Sequence, residues 1–177
     1  MRAAFACAVL LACCEPHSGP PIDELTGAVR GGDVAQVRAL LARGADPNQP
    51  SGVNSWPPLI HAVHKNQLGT AAALIEGGAD VNRGGPEGLT PLMMAAAYGN
   101  NEMVDLLLRN HADPHVKEAD GNTALDYALT GISDIDKFTI FQCQDSTVAL
   151  LLRRYPDLRP QRSSRTFAKV KGCAASS

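Results

Sequence analysis

His61 and His64 stand three positions apart, so on a helix both imidazoles leave the same side about one turn apart. That is half of a zinc site, since a tetrahedral centre takes three or four protein ligands. No cysteine or carboxylate stands at a spacing that would complete it. A metal-dependent enzyme built on this pair is the remote alternative; histidines of a helix surface or an adjoining loop are the expectation. His111 and His115 straddle Ala112-Asp113-Pro114 and suit ligation less. Asp46, Asp80 and Asp113 recur in similar small-residue settings, which marks them as turn formers before they are catalytic acids. The chain has no Gly-rich phosphate loop and no HExxH, GxSxG or kinase signature. The expectation is a protein that is not an enzyme, with no metal, no cofactor and no small-molecule substrate.

Five cysteines are the remaining reactive groups. Cys143 and Cys173 could pair in an oxidising compartment, with Cys14 a competing partner. Spacing alone leaves that pairing open.

The elements that must position these groups are bounded by composition. The chain has 177 residues, 45% hydrophobic and 19% charged, with a net charge of −2. That suits one folded unit with some additional chain. No apolar run reaches the ~20 residues of a membrane-spanning helix. The small net charge hides a division. Glu15 to Leu152 holds 8 Lys/Arg against 17 Asp/Glu, whereas Arg153 to Ser177 holds 7 Lys/Arg against one Asp. The segment 156–177 reads as a basic, flexible tail with little apolar period. It either neutralises its own acidic body or attracts an anionic surface such as lipid headgroups. Nucleic acid is not an expected partner, because no folded basic face is evident.

Self-similarity organises the middle of the chain. Pro57-Pro58-Leu59-Ile60-His61-Ala62 aligns with Thr90-Pro91-Leu92-Met93-Met94-Ala95 at an offset of 33. Leu40-Leu41-Ala42-Arg43-Gly44-Ala45-Asp46-Pro47-Asn48 aligns with Leu74 to Asn82 at 34, and Gly88 to Leu92 with Gly121 to Leu125 at 33. Thr90 and Thr123 suit helix N-caps and Pro91 a first helical position. Alanines at 28, 62, 95 and 128 allow neighbouring helices to approach closely. Glycines at 44, 77 and 78 supply helix-ending residues. A single helix pair cannot bury its apolar face, and stacking at least three of them can.

Thr90-Pro91-Leu92, Ala95-Ala96, Gly99, Leu107-Leu108 and Gly78-Ala79-Asp80-Val81-Asn82 resemble the ankyrin repeat family. The resemblance implies an all-α solenoid of about four helix-turn-helix repeats with β-turn finger loops, over 22–155. The units are 22–48, 49–82, 83–115 and 116–155, the last with an insert within 130–144. The family's usual His after Thr-Pro-Leu is replaced by Ile60, Met93 and Asp126, so its buried Thr–His hydrogen bond is expected to be missing. The family binds other proteins on a concave face of loop tips and first helices. Carried over, that implies Trp56, His64 and Lys65 from the second repeat, and Glu87, Leu89, Ala97 and Tyr98 from the third. The fourth contributes Asp120, Asn122 and Thr130. Trp56 either covers the core of the first repeat or anchors the partner.

The start of the chain, MRAAFACAVLLACC, has the short basic and apolar regions of a secretory leader. Leu10-Leu11-Ala12-Cys13 resembles the lipobox of bacterial lipoproteins, which implies a signal peptide over 1–12 and lipidation at Cys13. Residues 13–21 then form the attachment and tether. An exported, periplasmic protein is expected, held to the outer membrane because Cys14, not Asp, follows Cys13. The expected function is binding of another protein by a monomeric module. The alternative is an inhibitor or immunity-type binder that blocks an envelope enzyme or toxin.

Overall fold

The computed structural model describes residues 22–52, 54–131 and 143–173. The expected leader, Cys13, the tether and most of the insert lie outside the described residues. Helices α1 (Ile22–Gly31), α3 (Pro58–His64), α5 (Pro91–Ala97) and α7 (Ala124–Thr130) pack in chain order as an inner row. Behind them stand α2 (Val34–Ala42), α4 (Leu68–Glu76), α6 (Asn101–Arg109) and α8 (Asp145–Arg154). This is the two-layered ankyrin solenoid, and no described helix is long and apolar enough to cross a membrane.

Local chemistry explains each unit. Asp33 caps α2 by accepting the Gln36 amide at 2.9 Å, and Thr90 Oγ1 accepts the Met93 amide at 3.3 Å to cap α5. Ala62, Ala95, Ala96 and Ala128 are fully buried, so their short side chains set the close approach of the inner helices. Leu40, Leu74, Leu107 and Leu151 fill the space between the layers, each at most 1% exposed. Burial on that scale contributes roughly 2 kcal/mol per leucine. Left-handed residues, Gly44 (φ 90°), Gly78 (φ 92°) and His111 (φ 67°), follow the outer helices in the first three repeats.

Side chains also join the repeats. Asn48 Oδ1 accepts the Asp80 amide at 2.8 Å, and its Nδ2 donates to the Gly78 carbonyl at 3.1 Å. One repeat on, Asn82 Oδ1 accepts the Asp113 amide at 2.8 Å and Nδ2 donates to the His111 carbonyl at 3.3 Å. Asp46, Asp80 and Asp113 accept the amide two residues on, at 2.8 to 2.9 Å. The recurring aspartates therefore build turns. At the third step His115 replaces asparagine. It stacks edge-on against Tyr155, with ring centroids 6.2 Å apart, and sits 3.4 Å from the Asp157 carboxylate.

The segment expected to be a flexible tail is folded through residue 173. Helix α9 (Arg162–Lys171) packs on α7 and extends the inner row. Leu158, Ser164, Ala168 and Cys173 are all under 5% exposed, and a disulfide joins Cys173 to Cys143 with Cα atoms 6.0 Å apart. The docked face relies on Ser164 and Ala168, small residues that leave no apolar period to read.

The missing histidine has substitutes. In the third repeat Met93 Sδ lies 3.4 Å from the Thr90 amide. In the fourth, Asp126 accepts both the Thr123 amide, at 2.9 Å, and its hydroxyl, at 2.8 Å.

Candidate functional site

The fingers precede the inner helices and are closed by their own backbone. Ser51 N donates to Trp56 O at 3.1 Å, Gly85 N to Leu89 O at 3.0 Å, and Glu118 N to Asn122 O at 3.1 Å. The third and fourth fingers are joined where Ala119 N donates to Glu87 O at 2.8 Å. That carbonyl is presented by a left-handed backbone at Glu87, φ 65°, a conformation that non-glycine residues hold only under constraint from their surroundings. Gly88 beside it, at φ 85°, runs so close to Glu118 that a Cβ would stand 3.3 Å from its Cα.

Between the fingers lies a groove of about 550 Å³, lined by Asn54, Trp56, Pro86, Glu87, Leu89, Glu118 and Tyr127. Trp56 contributes its indole to the lining. It is half-buried, packed against His61 and His64 with ring centroids 5.5 and 5.3 Å away. Its indole also lies beside Gly85 of the next finger, where an added Cβ would come within 2.9 Å of it. Tyr98 continues the aromatic row, its ring 5.9 Å from that of His64.

The groove is negative. Glu87 is exposed, while Glu118 is buried and accepts from the Asp120 amide at 2.9 Å, the Asn122 amide at 3.0 Å and Asn122 Nδ2 at 2.7 Å. Burial pushes the Glu118 carboxyl up, but these three donors outweigh it and hold the group below its ordinary range. Tyr127 responds in the opposite sense. Burial, then the negative charges of Glu118, Asp120 and Glu87, push its phenol up to about 12. Two aromatic rings beside unneutralised carboxylates form a surface suited to a cationic or amphipathic side chain.

Of the residues expected to contact a partner, Trp56, Glu87 and Leu89 line the groove. Asp120 is exposed on the neighbouring finger, and its carbonyl accepts Gln161 Nε2 at 3.1 Å. Asn122 is half-buried and committed to Glu118. His64 is 7% exposed, placed between Trp56 and Tyr98, so it supports the row from beneath. Tyr98 is half-buried and Lys65 exposed at the far end of α3; neither lines the groove. The sequence missed Tyr127 and Glu118. Tyr127 occupies the repeat slot of His61 and Met94 at intervals of 33, and that slot was the available signal. His61 is as buried as His64, its Nε2 3.5 Å from the Ser51 carbonyl, so the pair packs the second finger. Among the described residues no group of three or more His, Cys, Asp or Glu is placed to hold a metal ion.

Repeated helix pairs with closed fingers and a groove between them define a class of binding scaffold. A family model described as ankyrin repeats (many copies) matches residues 74–128, and the stacked helix pairs of this chain have the ankyrin-repeat fold. The chain is 32% identical over 110 residues to a putative ankyrin repeat-containing protein of Treponema pallidum (strain Nichols). That match covers 62% of this chain and 36% of the other. It is 46% identical over 78 residues to the BTB/POZ domain and ankyrin repeat-containing protein NBCL of Lotus japonicus, covering 43% and 16%. Regulatory protein NPR6 of Arabidopsis thaliana is equally similar over 78 residues, covering 43% and 17%. The chain thus spans about a sixth of the length of these plant relatives.

Proposed function

We propose that this chain is a non-catalytic module that binds a partner protein through its finger side, with the groove between Trp56 and Tyr127 as the centre of contact. Ankyrin repeats are in general binding modules, which supports the reading at its coarse level. The observation that carries the finer reading is the groove itself, whose lining combines the rings of Trp56 and Tyr127, the apolar Leu89 and Pro86, and the carboxylates of Glu87 and Glu118. Trp and Tyr in such positions commonly dominate an interface. The favoured contact is a partner segment that presents a lysine or arginine.

In the same reading the chain is exported and lipidated at Cys13, the outer membrane being its address. The leader-like start of the sequence supports this. So does the Cys143–Cys173 disulfide, a bond that persists in oxidising compartments. Tethering would raise the effective concentration of any envelope partner. Site-specific photo-cross-linking from position 87 in intact cells, compared with position 38 on an outer helix, tests the contact face. Trp56→Ala should abolish the cross-linked product from position 87 while helicity is kept. Equal products from positions 87 and 38 would overturn the groove. Palmitate labelling abolished by Cys13→Ser would support lipidation, and a labelled variant would overturn it.

A further inference from the structure

The two ends of the folded chain carry opposite charge. Residues 22–131 contain 7 Lys/Arg and 13 Asp/Glu, whereas 153–173 contain 7 Lys/Arg and one Asp. Helix α9 concentrates the positive end. Its sequence, RSSRTFAKVK, has four cations and no acid. Arg162, Arg165 and Lys169 are spaced by three and four residues, which puts them on one helix face, and all three are exposed. None of them forms an ion pair with a described residue. Arg159 stands beside them, its guanidinium held by the carbonyls of Pro156 and Leu158 at 2.6 and 2.9 Å. Lys171 covers the Phe167 ring at 5.9 Å.

The other side of α9 is already used. Ser164 and Ala168 are buried and the helix packs on α7, with the Cys143–Cys173 disulfide holding its end. The helix therefore cannot roll an apolar face outward to insert into a bilayer. Its exposed cations remain available. Neither Asp126, bonded to the Gln161 amide at 2.6 Å, nor Asp157, which faces His115, forms an ion pair with them.

We propose that the outer face of α9 is a peripheral docking surface for an anionic lipid bilayer, engaged by charge without insertion. The acidic repeats would be repelled from the same surface, so the two opposed charges also set an orientation, with α9 against the lipid and the acidic repeats turned away. The disulfide favours a bilayer over nucleic acid as the polyanion, because it belongs to an oxidising compartment. This contact lies apart from the groove and does not rest on the groove's being a partner site.

Co-sedimentation of the full chain with phosphatidylglycerol-containing vesicles and with phosphatidylcholine vesicles tests it. Any contribution of the leader or an acyl chain is common to both lipids. Each cation near an anionic bilayer strengthens binding roughly fivefold. Replacing Arg162, Arg165 and Lys169 together with glutamine should therefore weaken the phosphatidylglycerol-dependent part about 100-fold, leaving circular dichroism and the disulfide unchanged. High salt should have the same effect. The control is a triple variant on and just after the outer helices, Arg38→Gln, Arg43→Gln and Arg109→Gln, expected to bind as the wild type does. Equal binding to both lipids, or equal loss in the control, overturns the proposal. Tighter binding to duplex DNA than to the anionic vesicles, dependent on the same three residues, would overturn it in favour of nucleic acid. Self-association abolished by the α9 variant would do so in favour of a second copy of the chain.

Discussion

Asp126 and Gln161, 35 positions apart, meet at 2.6 Å: the Gln161 amide donates to Asp126 Oδ1 while Oδ2 of that carboxylate holds Thr123. One buried acid, 1% exposed, thus caps the last inner helix and docks the segment that covers it. Asp126→Ala strands buried donors and should cost about 3 kcal/mol, read as a lower urea midpoint. Hydrogen exchange should quicken at Gln161 and through α9 with little change in α1 to α4. Unaltered protection in α9 would show that the helix docks without this bond.

The disulfide acts on the same element. Cys143 and Cys173 close a loop of separation 30, for which the loss of unfolded-state entropy stabilises by about 3 to 4 kcal/mol. Cys143→Ser with Cys173→Ser should lower stability by that order and loosen α9, while the repeat core keeps its helicity. Denaturation with and without reductant measures the difference. A wild-type protein indifferent to reductant would contradict it.

The repeats were legible because the same slot recurs: Ala62, Ala95 and Ala128 are all fully buried at intervals of 33. Aromatic and acidic residues at finger tips were legible through the family resemblance, which reached Trp56, Glu87 and Leu89. It placed His64 on the surface because no repeat pattern tells that the Trp56 ring folds over it. Glu118 was obscured for a related reason, since the same slot holds Gly85 in the third finger and its role comes from three local donors. Helix α9 was illegible on hydrophobicity. Among its described side chains the buried ones are Ser164 and Ala168, and the Asp126 that receives it looked only like a missing histidine.

The asparagine steps between repeats make a separable contribution. Asn82 satisfies the Asp113 amide and the His111 carbonyl at once, and Asn48 does the same one repeat earlier. Removing two partly exposed hydrogen bonds should cost about 1 to 2 kcal/mol. Asn82→Ala and Asn48→Ala should each lower Tm by several degrees. In the double variant the losses should add, because the steps share no donor or acceptor. A thermal melt that left Tm unmoved in both single variants would show that water replaces these bonds freely.

Acid should loosen the second finger through His61. Burial lowers the pKa of this imidazole, the Ser51 carbonyl opposes that shift, and the charges of Arg30, His64 and Lys65 reinforce it. A histidine with a folded pKa below its ordinary 6.5 favours the fold while neutral. Its contribution is therefore complete above that value and is lost as pH falls below it. Trp56 reports on this directly, being the one tryptophan of the chain and 5.5 Å from the His61 ring. Its fluorescence should change with a midpoint below 6.5, and His61→Gln should abolish that change. A midpoint at or above the ordinary value would show that the imidazole gains more from Ser51 than it loses by burial. A transition that survived in His61→Gln would assign the titration to another group beside the indole.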